Sequence, residues 1–171
     1  PESNIFFLTP VDGESLIFRP KSIADNSIPS GNSILAGVLV RLGHLIKQNH
    51  FLVKAKSIFN ELSYKSKESP HLFSSLIREH ILFESGPKEV ILMNGNESLK
   101  RFILKGLKPQ EYFLTEKNEN IPSLKGKPKN RNRKSNSPLL YECTDGVCLS
   151  PKRGEKEIRE FWERTRLSDS K

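Results

Sequence analysis

Between Ser33 and Ile81 the apolar residues recur every three or four positions, and beyond Gly86-Pro87 that spacing gives way to an unbroken apolar run. This change of period constrains the fold more than any other feature, because a helix returns to the same face about every 3.6 residues and a strand every two. In the first stretch Ile34, Leu35, Val38, Leu39, Leu42, Leu45 and Ile46 make one broad helical face, with Asn32 or Ser33 available as N-cap. Phe51, Ala55, Ile58, Phe59 and Leu62 repeat the pattern after a break at Gln48-Asn49, which predicts two antiparallel helices. Ser69-Pro70, a cap followed by proline at the first helical position, opens a third helix through Leu72, Phe73, Leu76, Ile77 and Ile81.

After Gly86-Pro87, Glu89 to Met93 reads as a strand buried on both faces, Glu97 to Lys105 as a helix, and Tyr112 to Leu114 and Pro138 to Tyr141 as further strands. Glu155 to Arg166 is an amphipathic helix with Ile158, Phe161, Trp162 and Leu167 on its inner side. Ahead of the first helix, Ile5 to Thr9 and Ser15 to Arg19 flank the turn signal Pro10-Val11-Asp12-Gly13 and predict a hairpin, and Pro20 to Asn32 predicts an ordered loop. The fold class is therefore mixed α and β. Residues 1–85 form an N-terminal hairpin with helices, and residues 86–171 a small α/β unit that carries a flexible basic loop at 123–137.

That loop dominates the charge. Ser123 to Lys134 holds six of the 28 Lys and Arg (Lys125, Lys127, Lys129, Arg131, Arg133 and Lys134) and none of the 20 acids, so the rest of the chain is nearly balanced. A nucleic-acid surface would spread cations over a face and interleave aromatics for stacking; this run has no aromatic, which argues against nucleic acid as the partner. A small basic module that contacts nucleic acid or an acidic protein stands as the alternative. The chain is 171 residues long and has no window near the roughly 20 apolar residues that cross a bilayer, so no membrane is expected. Its opening, Pro1-Glu2-Ser3-Asn4, is neither a secretory signal nor a transit peptide. We expect cytoplasmic residence, and Pro1 reads as a cut rather than a start.

Cys143 and Cys148 flank Thr144-Asp145-Gly146-Val147, and Asp-Gly marks a two-residue hairpin turn that sets Cys143 opposite Cys148 and Thr144 opposite Val147. The first expectation is a pair of structural thiols. A disulfide, structural or redox-sensitive, is feasible in that register. A zinc site would need two more ligands, and the C-x4-C spacing is not the C-x-x-C of thiol oxidoreductases. His44, His50, His71 and His80 lack metal-pair spacing, and Asn94-Gly95-Asn96 reads as a tight strand-to-helix turn. No metal and no cofactor is called for. Among the four aspartates, turns and the tail account for Asp12, Asp145 and Asp169, which leaves Asp25 beside Arg19, Lys21, Ser30 and Asn32, either to order the loop or to serve a site.

Two blocks carry a resemblance: Phe18-Arg19-Pro20-Lys21 with Asp25 and Ile28-Pro29-Ser30-Gly31-Asn32-Ser33, then Tyr141-Glu142-Cys143 through Cys148 to Pro151. Together they resemble the C-terminal part of the spermatogenesis-associated, thioredoxin-like protein family, bacterial YyaL-type proteins included. The likeness runs from Leu16 to about Phe161. The basic run and Glu142 depart from the family pattern, where a shorter connection and an apolar residue are usual.

The resemblance implies a much longer parent: a thioredoxin-like domain, then a six-hairpin glycosidase-like α/α toroid, then a short α/β tail. This chain would be the last toroid helices plus the tail, and its partners the missing N-terminal domains of the same parent. In such a toroid the loop before the Ser33 helix would give Arg19, Asp25, Ser30 and Asn32 to the rim of a pocket. A small sugar-like ligand follows by fold analogy only, because the family has no firmly established reaction. The chain alone is expected to be inactive, and a helix set removed from a toroid would expose apolar surface and could self-associate.

Overall fold

The computed structural model describes residues 3–115, 137–144 and 147–167, which fall into two units, Pro1–Ser85 and Gly86–Lys171. The basic run from Ser123 to Lys134 and the Asp145-Gly146 corner lie outside the described residues.

In the first unit three helices pack on one another: α1 (Gly31–Leu45), α2 (Asn49–Glu68) and α3 (Ser74–Ser85), the last entered through a 3₁₀ turn at Pro70–Phe73. Ser30 is the N-cap of α1, and its hydroxyl accepts from the Ser33 backbone N–H at 3.1 Å. The chain reverses into α2 at Lys47, a left-handed residue with φ 52°. The core joins Ala36, Leu39 and Val40 of α1 to Ala55, Ile58, Phe59 and Leu62 of α2 and to Phe73, Leu76 and Leu82.

Two expectations for this unit are corrected. The segments around Phe7 and Phe18 are not strands: a single backbone bond links them, Leu8 N–H to the Pro20 carbonyl at 2.9 Å. Pro20 has no N–H to return that bond, and Pro10 has none either, so a ladder cannot propagate. The buried face of α1 is also rotated from the expected one. Its inner side keeps the expected Leu39 but is otherwise built mostly from small residues, Ser33, Ala36, Gly37, Val40 and Gly43, while Ile34, Val38 and Leu42 are 43 %, 44 % and 37 % exposed. Leu72 and Ile81 likewise face outward rather than into the core.

The second unit matches its expected elements closely. Strand β1 (Lys88–Met93) leads through α4 (Glu97–Lys105) to β2 (Glu111–Thr115), which lies parallel to β1. Strand β3 (Leu139–Thr144) runs antiparallel on the other side of β1; β4 (Val147–Cys148) and β5 (Lys152–Arg153) pair with opposite ends of β3. The closing helix α5 (Glu155–Trp162) ends in a π turn at Glu163–Leu167. Val90, Leu92 and Leu140 on one face of the sheet pack with Leu99 and Ile103 of α4 and with Ile158 and Trp162 of α5. Ile91, on the opposite face, is buried as well, so β1 is covered on both sides. Asn96 caps α4 by accepting from the Leu99 N–H at 2.8 Å, the tight turn expected there.

Candidate functional site

The first unit carries an open groove of about 630 Å³ between the N-terminal segment and α2. Ser3, Ile5, Phe7, Phe18, Arg19, Lys21 and Ile23 supply one side, and Glu61, Leu62 and Lys65 the other. The N-terminal segment is held by side chains in place of a sheet. The Asn32 amide accepts from the Phe6 N–H at 2.8 Å and donates to the Phe6 carbonyl at 3.0 Å and the Ser22 carbonyl at 2.7 Å. Arg19 donates from Nε to the Thr9 hydroxyl at 3.1 Å and from one terminal nitrogen to the Thr9 carbonyl at 2.6 Å.

The groove is electropositive. Glu61 is its one acidic lining residue, and both carboxylate oxygens are engaged, by the Ser3 hydroxyl and the Asn4 N–H, each at 2.6 Å. The Ser3 hydrogen bond above all, opposed by burial and supported by the Asn4 bonds and the Lys21 charge, holds the Glu61 carboxyl below its ordinary 4.5. The Phe7 ring attracts two cations, the Arg19 guanidinium 4.2 Å and the Lys21 ammonium 4.6 Å from its centroid. Such an arrangement can bind and orient an anion. Its lining holds one hydroxyl–carboxylate pair, Ser3 on Glu61, and no second carboxylate for acid/base work.

Of the four rim residues expected from the sequence, Arg19 lines this groove. Ser30 caps α1 and Asn32 pins the N-terminal segment. Asp25 accepts from the Ser30 N–H at 2.9 Å and the Ser75 N–H at 2.7 Å, tying the loop to the start of α3. Burial would raise its carboxyl, but the Ser75 and Ser30 backbone bonds, the Ser75 hydroxyl and the Arg78 charge together bring it below its ordinary 3.8. Cys143 and Cys148 are a disulfide, with α-carbons 4.0 Å apart in the register read from the sequence, and not the pair of free thiols expected first. The Leu149 N–H to Glu142 carbonyl bond on one side makes Cys143–Cys148 a non-hydrogen-bonded pair, the register in which α-carbons come closest.

Sequence reasoning missed two buried charge clusters. Glu79 of α3 is 2 % exposed and accepts from Arg41 at 2.6 Å and from Arg78 at 2.7 Å; its spacing from Leu76 and Leu82 was the available signal, a charge on a core-facing position. In the second unit Arg166 is held between Glu111, at 2.5 Å, and Glu142. Burial would lower the Arg166 guanidinium, but the hydrogen bond to Glu142 and the charge and hydrogen bond of Glu111 raise it above its ordinary value. Among the described residues no three of His, Cys, Asp and Glu converge as a metal site, and no helix is long and apolar enough to cross a membrane. Compared with protein-family models, with curated proteins and with solved structures, the chain matches none.

Proposed function

We propose that this chain is the C-terminal end of a longer thioredoxin-like, six-hairpin protein of the kind it resembles, and that its part there is to close a ligand pocket with Arg19 and the loop at 20–32. One observation carries the reading: α1 has a second apolar stripe besides the side that faces the core. Its small-residue side presses on α2 and α3 so closely that a methyl group on Gly43 would meet Leu52 at 2.6 Å, while Ile34, Val38 and Leu42 form an exposed stripe at i, i+4 and i+8. A surface helix needs one apolar stripe; a second one suits a helix in an array, packed by a further element. A preceding helical hairpin of the same polypeptide would cover the second stripe.

The pocket's ligand is small, and carbohydrate is the class that fold analogy suggests. Residence in the cytoplasm stands on the sequence alone and is set against the Cys143–Cys148 bond, because disulfides are rare in a reducing cytosol. A photo-crosslinking residue in place of Val38, in the protein as its own cells make it, tests the array. Capture of a helical segment N-terminal to Pro1 in the same polypeptide is expected. Capture of nothing, or of a second copy of α1, overturns the reading.

A further inference from the structure

We infer that the groove of the first unit is built for a small anion that carries a ring. The inference names a ligand class for the pocket proposed above, and rests on that reading only in treating the groove as a ligand site. It starts from an imbalance of charge. Arg19, Lys21 and Lys65 line the groove against the single carboxylate of Glu61, and that carboxylate already accepts from Ser3 and Asn4. Among the described residues none of the three cations has an acid within ion-pair distance, Lys65 included, although it lies one turn from Glu61 on α2.

Two of these cations converge on one ring. Arg19 is fixed there by its two bonds to Thr9, which leave its second terminal nitrogen for another acceptor. Lys21 shares the ring, and the carboxylate that feels its charge, Glu61, lies beyond ion-pair distance. Each such contact stabilises its cation only weakly at an exposed site, and like charges side by side repel, so an anion between them gains from both. The same groove presents aromatic surface to solvent: Phe18 is 76 % exposed and Phe7 45 %, above the apolar floor of Ile5, Ile23 and Leu62. A phosphate or carboxylate would answer the cations, and a flat or puckered ring attached to it would cover Phe18. The groove's volume of about 630 Å³ lies within the range of small-molecule sites.

Calorimetric titration of the whole 171-residue chain tests this with four probes: inorganic phosphate, phenyl phosphate, glucose 6-phosphate and glucose. The expected result is that one ring-bearing phosphate binds about tenfold or more tightly than phosphate alone, and that glucose, uncharged, gives no heat. Which of the two ring phosphates binds better separates an aromatic from a sugar ligand. Lys21→Gln, which breaks no hydrogen bond of the fold, should weaken the better probe about tenfold, and Phe18→Ala should bring it down to the level of phosphate. Arg19→Gln should do at least as much as Lys21→Gln. No binding by any probe, equal binding of phosphate and both ring phosphates, or an unchanged affinity in Lys21→Gln overturns the inference. Every wall of the groove is in this chain, so those failures bear on the ligand and leave the helical array to the crosslinking test.

Discussion

Asp25 joins two segments that lie fifty positions apart, through the backbone N–H groups of Ser30 and Ser75. Asp25→Ala leaves two donors without that acceptor, a loss of about 1–3 kcal/mol, and amide exchange in α1 and α3 should speed up accordingly. The sign of its pH dependence follows from the carboxyl being held below its ordinary 3.8 in the fold: the contribution is complete above that value and is lost as the pH falls through the lower folded value. The first unit should therefore weaken below about pH 4, and Asp25→Ala should weaken less on the same acidification. Gly37 makes a different demand. A methyl group there would lie 2.4 Å from the Glu79 carboxylate, so Gly37→Ala, usually favourable in a helix, should cost about 1–3 kcal/mol. Combined with Glu79→Ala the two losses should not add, which a double-mutant cycle reads directly. Arg166→Leu strands two glutamates on one sheet face and should destabilise the second unit by about 3–5 kcal/mol. Trp162, the chain's one tryptophan, lies 4.9 Å under that guanidinium and reports the transition by fluorescence. The sequence singled out Asp25 because loop aspartates seek backbone donors, yet Ser75 was invisible as its partner: no local pattern specifies a contact across fifty residues.

At the scale of elements, legibility follows how local the determinant is. The strand-to-helix turn at Asn94-Gly95-Asn96 and the Cys143–Cys148 register were readable because both are set by neighbours in sequence. The free-thiol expectation failed for a different reason: the register that lets two sulfurs meet was readable, but whether they are oxidised depends on redox conditions that no spacing encodes. Replacing both cysteines with serine should cost about 2 kcal/mol, the loop-closure value for so short a ring, and denaturation of the wild type with and without reductant should show the same difference. The expected N-terminal hairpin failed because two apolar runs around a turn signal do not make a ladder where prolines remove its donors. For α1 the helical period was right and the face was rotated: Leu39 is in the core and Leu35 packs against it, but Ile34, Val38 and Leu42 are not buried. Where apolar residues fall on two sides of a helix, period cannot choose between them, and packing chose the side with small residues because they let α2 and α3 approach.

For the whole molecule, the exposed stripe of Ile34, Val38 and Leu42 supports the proposal that the first unit packs against further polypeptide, while the electropositive groove is lined within the unit itself. Ile34→Gln together with Val38→Gln should leave the stability of the isolated chain within about 0.5 kcal/mol, as surface changes do, while lowering any self-association seen by sedimentation. In the parent protein the same pair should be strongly destabilising, because there it would be core. The most direct measurement is the mass of the native protein in its own cells, detected with an antibody raised against residues 49–85. A mass far above 19.5 kDa is predicted, with helical hairpins ahead of Pro1. A native mass of 19.5 kDa would contradict the account, since no further helix could then cover α1 within one molecule.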